Sequence, residues 1–409
     1  MRDRFCSVQL DSVLFYLLVF LVINPISYAR ISSLFIFLGF LFWLIFAYAK
    51  NTSKIRKIIG NPVFLTSCIF PITLIFFSWR ADVIFEKRCI LDSMIVMLML
   101  FYFHSDRNSI HIKSSFILGY LFIIAIYSSY MLLQDPMISR LMAGEADVYG
   151  NSLTGGYNTV YGVMIFTLGL LGVALRKEKG STKYYLFAFC FFIFVLLSKY
   201  VIALVMLIIG GVAVLSEHSR FLRITIFVMA FLILFTFLFY PFFLQSISFA
   251  ISDLFPQGDF EGNRWHQIGD LIIQFRTGNF TSNTSLSPVT RIDLYKQTFD
   301  AFVSNPFWGV GNTGTAMYNA GEHATVLDNF AKYGTIGGGI YFITRVLLLV
   351  FISKLLPEKY KKLYGVIGVM YLVLGMLNNT NDMMISLMMF LAIPYLFITN
   401  EQDNGDYLW

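Results

Sequence analysis

The sequence predicts an all-α polytopic membrane protein, and three observations predict it. Of the 409 residues 57% are hydrophobic and only 13% charged, and the mean hydropathy is +0.70, a composition outside the soluble range. Apolar residues gather in blocks of about twenty, the length at which a helix crosses the hydrocarbon core of a bilayer. Lysine and arginine are plentiful in every second connecting loop and sparse in the others, which is the pattern that membrane topology produces.

The apolar blocks fall at about 11–29, 31–49, 62–79, 89–104, 115–133, 158–175, 184–198, 200–216, 221–244, 333–354, 363–377 and 382–399, about twelve spans in all. One set of loops holds Arg2 and Arg4; Lys50, Lys54, Arg56 and Lys57; Arg107 and Lys113; Arg176, Lys177, Lys179 and Lys183; Arg220 and Arg223; and Lys354, Lys359, Lys361 and Lys362. The alternate short loops hold only Arg30, Arg80, Lys87, Arg88, Arg140 and Lys199. The positive-inside rule makes the first set cytoplasmic, with both termini inside and the long polar stretch between the ninth and tenth spans outside. Residues 184–216 can also be read as one tilted helix that contains Lys199. The charge alternation favours a break there, because a single helix would invert every later loop.

Three segments follow: spans one to nine over 1–244, an external loop over 245–332, and spans ten to twelve with a cytoplasmic tail over 333–409. The first block is long and lacks a small-residue cleavage site, so it reads as an uncleaved span. The formal charge of +6 does not point to nucleic acid, since the basic residues sit between apolar blocks. Cys6, Cys68, Cys89 and Cys190 lie in or beside apolar blocks and support neither a disulfide framework nor a zinc site. Internal repeats of the kind that build transporters are not seen.

The external loop is acidic, with Asp253, Asp259, Glu261, Asp270, Asp293, Asp300, Glu322 and Asp328 against Arg264, Arg276, Arg291 and Lys296. Its cations are therefore not a general basic coat. Arg264, Ile268, Leu271, Ile272 and Phe275 recur at helical spacing and predict a short amphipathic helix. Thr, Ser and Asn over 279–288 predict turns. A second helix is expected from near Thr290, with Ile292, Tyr295, Phe299, Phe302 and Val303 on one face, stopping at Asn305-Pro306 because the residue before proline avoids the α region. The glycine-punctuated turn Phe307-Trp308-Gly309-Val310-Gly311 comes next. A third short helix, 322–332, is expected to carry His323, Val326, Leu327 and Phe330 on one side before Gly334. A smaller polar, glycine-rich external loop spans 134–157.

Three residues stand out. Lys199, at a span junction in Leu197-Ser198-Lys199-Tyr200, is either a snorkelling turn lysine or a cation facing an anion. Arg291 opens the second loop helix, where acids are favoured; its partner is either Asp293 or Asp300, or a phosphate bound at the same helix start. His323, on the apolar side of a short helix, is either a satisfied structural histidine or a proton carrier. Arg345 and Asp92 lie inside spans and can form an intramembrane pair. Arg264, His266 and Arg276 read as interfacial, and His104, His111 and His218 as ordinary cytoplasmic loop residues.

In order along the chain, Leu197-Ser198-Lys199 at a span junction, a large external loop, Arg291-Ile292-Asp293-Leu294-Tyr295 leading to Asn305-Pro306-Phe307-Trp308-Gly309-Val310-Gly311, then His323 ahead of Lys332-Tyr333-Gly334-Thr335-Ile336-Gly337, resemble the bacterial O-antigen polymerase and O-antigen ligase superfamily. The resemblance covers about residues 184–339, and the earlier spans match in hydropathy alone. It implies metal-independent, cofactor-free, inverting glycosyl transfer at the periplasmic face of the bacterial inner membrane. The implied partners are an undecaprenyl-pyrophosphate-linked glycan, membrane lipid and a chain-length regulator.

On the same resemblance His323 would activate the acceptor hydroxyl and Arg291 would bind the pyrophosphate. Lys199 would assist from a position where relatives commonly carry arginine, and Arg264 and Arg276 are additional candidates. Lysine is a point charge and cannot grip a phosphate in a bidentate fork as arginine does. The expected function is O-antigen polymerase, which joins lipid-linked repeat units. The nearest alternative is O-antigen ligase, with lipid A-core as acceptor. A polysaccharide flippase is a more distant one, since it calls for charged residues deep in many spans rather than a large outer loop.

Overall fold

The computed structural model describes residues 2–24, 33–80, 88–103, 107–135, 156–176, 181–218, 241–253, 291–311 and 324–401, with the single positions 105, 224, 228 and 269. Every regular element among them is helical. In chain order they are α1 (Arg2–Ile23), α2 (Ser33–Lys50), α3 (Thr52–Ile59), α4 (Pro62–Arg80), α5 (Arg88–Phe103), α6 (Arg107–Gln134), α7 (Tyr157–Arg176), α8 (Thr182–Leu197), α9 (Val201–His218), α10 (Pro241–Ser252), α11 (Arg291–Ser304), α12 (Thr325–Leu355) and α13 (Glu358–Leu377). The chain then runs through α14 (Met383–Leu387), a π turn (Met388–Ala392) and α15 (Ile393–Thr399). The chain divides into two compact units, Met1–Val214 with Arg291–Trp409, and Leu215–Thr290.

Eleven of the twelve expected apolar blocks coincide with helices, and the block at 221–244 lies largely outside the described residues. Among the described residues, Asn108–Gln134, Tyr157–Arg176, Thr325–Leu355 and Glu358–Leu377 are each long and apolar enough to cross a membrane, four helices in all. Leu34–Lys50 with Thr52–Ile59, bent by 119°, gives a fifth if taken as one broken span. The helices at Leu10–Ile23, Pro62–Phe77, Cys89–Phe103, Thr182–Leu197, Ile202–Glu217 and Met383–Thr399 are apolar but shorter. The break expected at Lys199 is present, since α8 ends at Leu197 and α9 begins at Val201.

The surface of the larger unit has the polarity of a protein solvated by lipid. Phe35, Ile72, Ile123 and Phe189 are each about 60% exposed on helices that offer no compensating charge nearby (62%, 63%, 63% and 61%). In water such a surface would aggregate, whereas hydrocarbon solvates it without cost. The centre of the unit is α7, with fifteen of its twenty residues buried. Small residues let its neighbours come close: a Cβ on Gly162 would meet Met384 of α14, and one on Gly172 would meet Leu363 of α13.

Two prolines each remove a hydrogen bond from the helices of this unit, and each loss is met locally. Pro71 in α4 has no N–H to give the Ser67 carbonyl, and Ser93 of α5 donates to that carbonyl instead at 2.7 Å. Pro394 follows the π turn, whose wider register accommodates the hydrogen bond that the proline cannot make. Between α5 and α12 the expected intramembrane pair is present. Arg345 and Asp92, both buried, form an ion pair, with the guanidinium over the Tyr341 and Phe390 rings. In the smaller unit the described residues include α10 and Gly269, against which the Phe249 ring of α10 lies closely.

Candidate functional site

The site is best built from α12. Its N-cap residue is Ala324, which has no side chain able to cap a helix. The buried carboxylate of Asp328, one turn on, takes that role: it accepts from the Ala324 N–H at 2.8 Å and from the Thr298 hydroxyl of α11 at 3.2 Å. Thr325 is tied to a different element. Its N–H donates to Asn378 O at 3.2 Å, its hydroxyl donates to Asn379 Oδ1 at 3.0 Å, and the same hydroxyl accepts from Thr380 N–H at 2.6 Å. The first turn of α12 is thus held from two sides.

The second tie is the connection between α13 and α14, Asn378-Asn379-Thr380-Asn381-Asp382, five polar residues between two apolar helices. Asn378, Thr380 and Asp382 are buried, so every polar group needs a protein partner. The partners come from four elements. Tyr157 Oη of α7 lies 2.7 Å from both Asn378 Oδ1 and Asn379 O, and Asn378 Nδ2 donates to Tyr161 Oη at 2.6 Å. Tyr341 of α12 donates to Asn381 Oδ1 at 3.3 Å, and Asp382 caps α14 by accepting from Met384 N–H at 2.8 Å. Tyr295 of α11 donates to Leu377 O, just ahead of the loop, at 2.7 Å.

The Tyr157 and Tyr161 rings also reach Tyr200, each with its centroid 6.1 Å from that ring. Tyr200 follows Lys199, which has φ +57, the single positive value at a non-glycine residue among those described. Glycine usually ends a helix in this conformation, and an L side chain there costs about 1–2 kcal/mol. A lysine retained at such a position is a candidate for a role of its own.

A further lock joins the turn after α11 to α12. The helix α12 is broken at Gly334 (φ 65, ψ −170), which frees carbonyls in the turn before it. Val310 N–H donates to Ala331 O and Gly311 N–H to Lys332 O, both at 2.9 Å, while Pro306 O accepts from Thr335 N–H at 2.7 Å. The two backbones touch at glycines. A Cβ on Gly309 would stand 2.3 Å from Lys332 O, and one on Gly334 would stand 2.2 Å from Phe307 O. Both residues have positive φ, so glycine is required there on two counts. The two glycine motifs, 305–311 and 332–337, are halves of one backbone lock.

Residues 165–342 match the family model described as O-antigen ligase. This segment belongs to the O-antigen polymerase and ligase superfamily. No curated protein sequence matches the chain. The matched segment runs from α7 into α12 and contains Lys199, Arg291, His323 and both halves of the glycine lock, and it stops short of the polar loop at 378–382. With the apolar helices, it identifies a multi-pass membrane protein.

Of the residues expected to carry chemistry, Lys199 is described in full and lies at the α8–α9 junction, half-buried. Arg291 is the first residue of α11, which runs to Ser304 as expected, and its side chain lies outside the described residues. His323 lies outside them too, one residue before Ala324, as do Arg264, Arg276, the helix expected at 264–275 and nearly all of the loop at 134–157. On α11 the packed positions are Thr298 and Ala301 rather than the larger residues, and Phe299 and Val303 are 63% and 56% exposed. The small pair Ala301 and Ala331 brings α11 close to α12, which leaves Phe302 to pack edge-on to Phe330. What sequence reading missed is the loop at 378–382 with Thr325 and Asp328. Its signal was present as five polar residues between the last two apolar blocks.

Proposed function

We propose that the protein is an O-antigen polymerase, a metal-independent inverting glycosyltransferase acting at the periplasmic face of the bacterial inner membrane. The observation that carries this reading is the O-antigen ligase family match over 165–342, whose span contains Lys199, Arg291 and His323. The gathering of Lys199, the α11 helix and the start of α12 around one polar loop supports it. The charge alternation supports twelve spans with both termini cytoplasmic, which puts that loop outside.

The acceptor sugar hydroxyl attacks the anomeric carbon of a glycan held on undecaprenyl pyrophosphate. The new glycosidic bond forms as the bond to the pyrophosphate oxygen breaks and its electron pair leaves with that oxygen. Arg291 and Lys199 offset the charge that develops there, so the leaving group departs without a metal. His323 takes the hydroxyl proton, a task suited to a group that titrates near neutral pH. Attack opposite the leaving group inverts the anomeric centre. Arg264 and Arg276 are candidates to guide the anionic lipid to the site, and a chain-length regulator is the expected protein partner.

A second reading, which the name of the matching family model suggests, is O-antigen ligase, in which the same donor is transferred to lipid A-core. Lipopolysaccharide banding separates the two in a strain that lacks the gene, complemented with the native protein, Arg291→Ala or His323→Ala at matched levels. Polymerase predicts core plus a single repeat in the deletion strain and no ladder from either variant. Bare core without a single-repeat band would transfer the reading to ligase, and a full ladder from both variants would remove the proposed site.

A further inference from the structure

We propose that the bend between α2 and α3 is a binding site for the headgroup of an anionic phospholipid, with Lys54, Arg56 and Lys57 meeting its phosphate. The chain turns by 119° between Leu34–Lys50 and Thr52–Ile59. The helix α2 is apolar up to Lys50, whereas the eight residues of α3 include three cations. Cations at that density are costly in hydrocarbon, so α3 lies at the level of the headgroups while α2 enters the bilayer. Ile55 and Ile58, 2% and 4% exposed, hold α3 against the bundle. Arg56 and Lys57 are left exposed on its outer side.

Positive charge at this bend exceeds what the neighbouring carboxylate can balance. Asp11 of α1 is buried and spends both oxygens: Oδ1 accepts from Lys50 Nζ at 2.9 Å, and Oδ2 accepts from the Tyr102 hydroxyl at 3.1 Å. Among the described residues, Lys54, Arg56 and Lys57 have no carboxylate partner. Lys54 is held half-buried instead, with its ammonium 4.6 Å from the centroid of the Phe101 ring of α5 and near enough to Lys50 to feel that charge. Membrane sidedness asks only that lysines lie in the loop. It does not require one of them to be docked on a ring beside a second cation. An anion at the bend offsets the repulsion, and Arg56 can grip a phosphate in a bidentate fork. The lipid-facing side of α2 completes the site. Phe42, Ile45 and Phe46, spaced i, i+3, i+4 on its last turns, are 56%, 60% and 41% exposed and form an apolar strip along which acyl chains can lie.

The test titrates full-length protein in neutral detergent with phosphatidylglycerol or with phosphatidylcholine of the same chains, and native mass spectrometry reads bound lipid. A third arm adds inorganic phosphate in competition with phosphatidylglycerol. The variants are Lys54→Gln, Lys54→Arg, the double variant Arg56→Gln with Lys57→Gln, and Lys362→Gln, which removes an exposed cation from α13.

An anionic headgroup site predicts that phosphatidylglycerol binds at least about tenfold more tightly than phosphatidylcholine. Each cation removed from α3 should weaken phosphatidylglycerol by about fivefold, so the double variant loses about 25-fold. Lys54→Arg and Lys362→Gln should bind as the native protein does, and phosphatidylcholine should be unaffected throughout. Equal affinity for the two lipids overturns the proposal. So does an equal loss in Lys362→Gln, which would make the attraction a property of the whole basic surface. Displacement of the lipid by inorganic phosphate at the same concentration would make the bend a free-anion site and overturn it too. Should Lys54→Gln fail to fold, the exposed pair Arg56 and Lys57 decides the matter.

Discussion

The two ends of α13 differ in how they handle buried polar groups. They lie about 27 Å apart along the helix axis. At the end near Tyr360, one asparagine does most of the work: Asn400 donates to Leu396 O at 2.7 Å, its carbonyl accepts from Tyr360 at 3.2 Å and Lys359 at 3.4 Å, and Tyr184 donates to its side chain. The loops at this end carry Lys354, Lys359, Lys361 and Lys362. At the far end, five consecutive polar residues, a lysine with positive φ, an internally capped helix and a backbone-to-backbone lock are assembled in the same bundle. The first end closes the structure with few groups. The second retains costly local conformations, and costly conformations persist where function requires them.

That comparison can be broken or sharpened by substitution. The buried ion pair between the ends should give the largest effect. Asp92→Ala leaves the Arg345 guanidinium uncompensated and should lower stability by about 3–5 kcal/mol, whereas Asp92→Leu with Arg345→Leu should be close to neutral. Thermal unfolding in detergent reads both, and an additive double variant would show that the two charges act separately. Gly309→Ala and Gly334→Ala each place a methyl group against backbone at a positive-φ position. Each should cost about 3 kcal/mol or more and abolish a monodisperse peak in size-exclusion chromatography.

Smaller effects separate folding from function. Lys199→Gly relieves the positive φ, so stability should stay within about 1 kcal/mol of the native protein. Polymer formation should fall by at least about tenfold with the loss of the cation and recover in Lys199→Arg. Equal activity in Lys199→Gly would make that residue a turn lysine and remove one distinctive feature of the second end. Asn400→Ala should cost about 1–2 kcal/mol by removing the side-chain hydrogen bonds to Tyr184 and Leu396 O. Activity per folded molecule should be unchanged, and a selective loss of activity would erase the contrast between the ends.

The legible part of the site was the part written in contiguous motifs. Arg291–Ser304 was bounded by its proline, and the Lys199 junction by the alternation of charge. The Arg345–Asp92 pair was readable because a charge inside an apolar block has few partners to choose from. The buried face of α11 was less legible: periodicity picks out Phe299 and Val303 as one apolar face, yet in a membrane protein large apolar side chains serve as well outside as inside. Small Thr298 and Ala301 then decide which side approaches α12.

Sequence by itself determined the helical class, the apolar blocks and the family motifs, because each depends on residue type and on neighbours within a few positions. Tertiary structure alone decided that the motifs at 305–311 and 332–337 are one lock, and that Asn378–Asp382 holds the start of α12. It also decided that Asp328 serves two helices at once. These are pairings between backbone groups and side chains tens to hundreds of residues apart. A backbone N–H or C=O carries no residue-specific mark, so which of them meet is settled only when the helices pack and each buried polar group must find its partner.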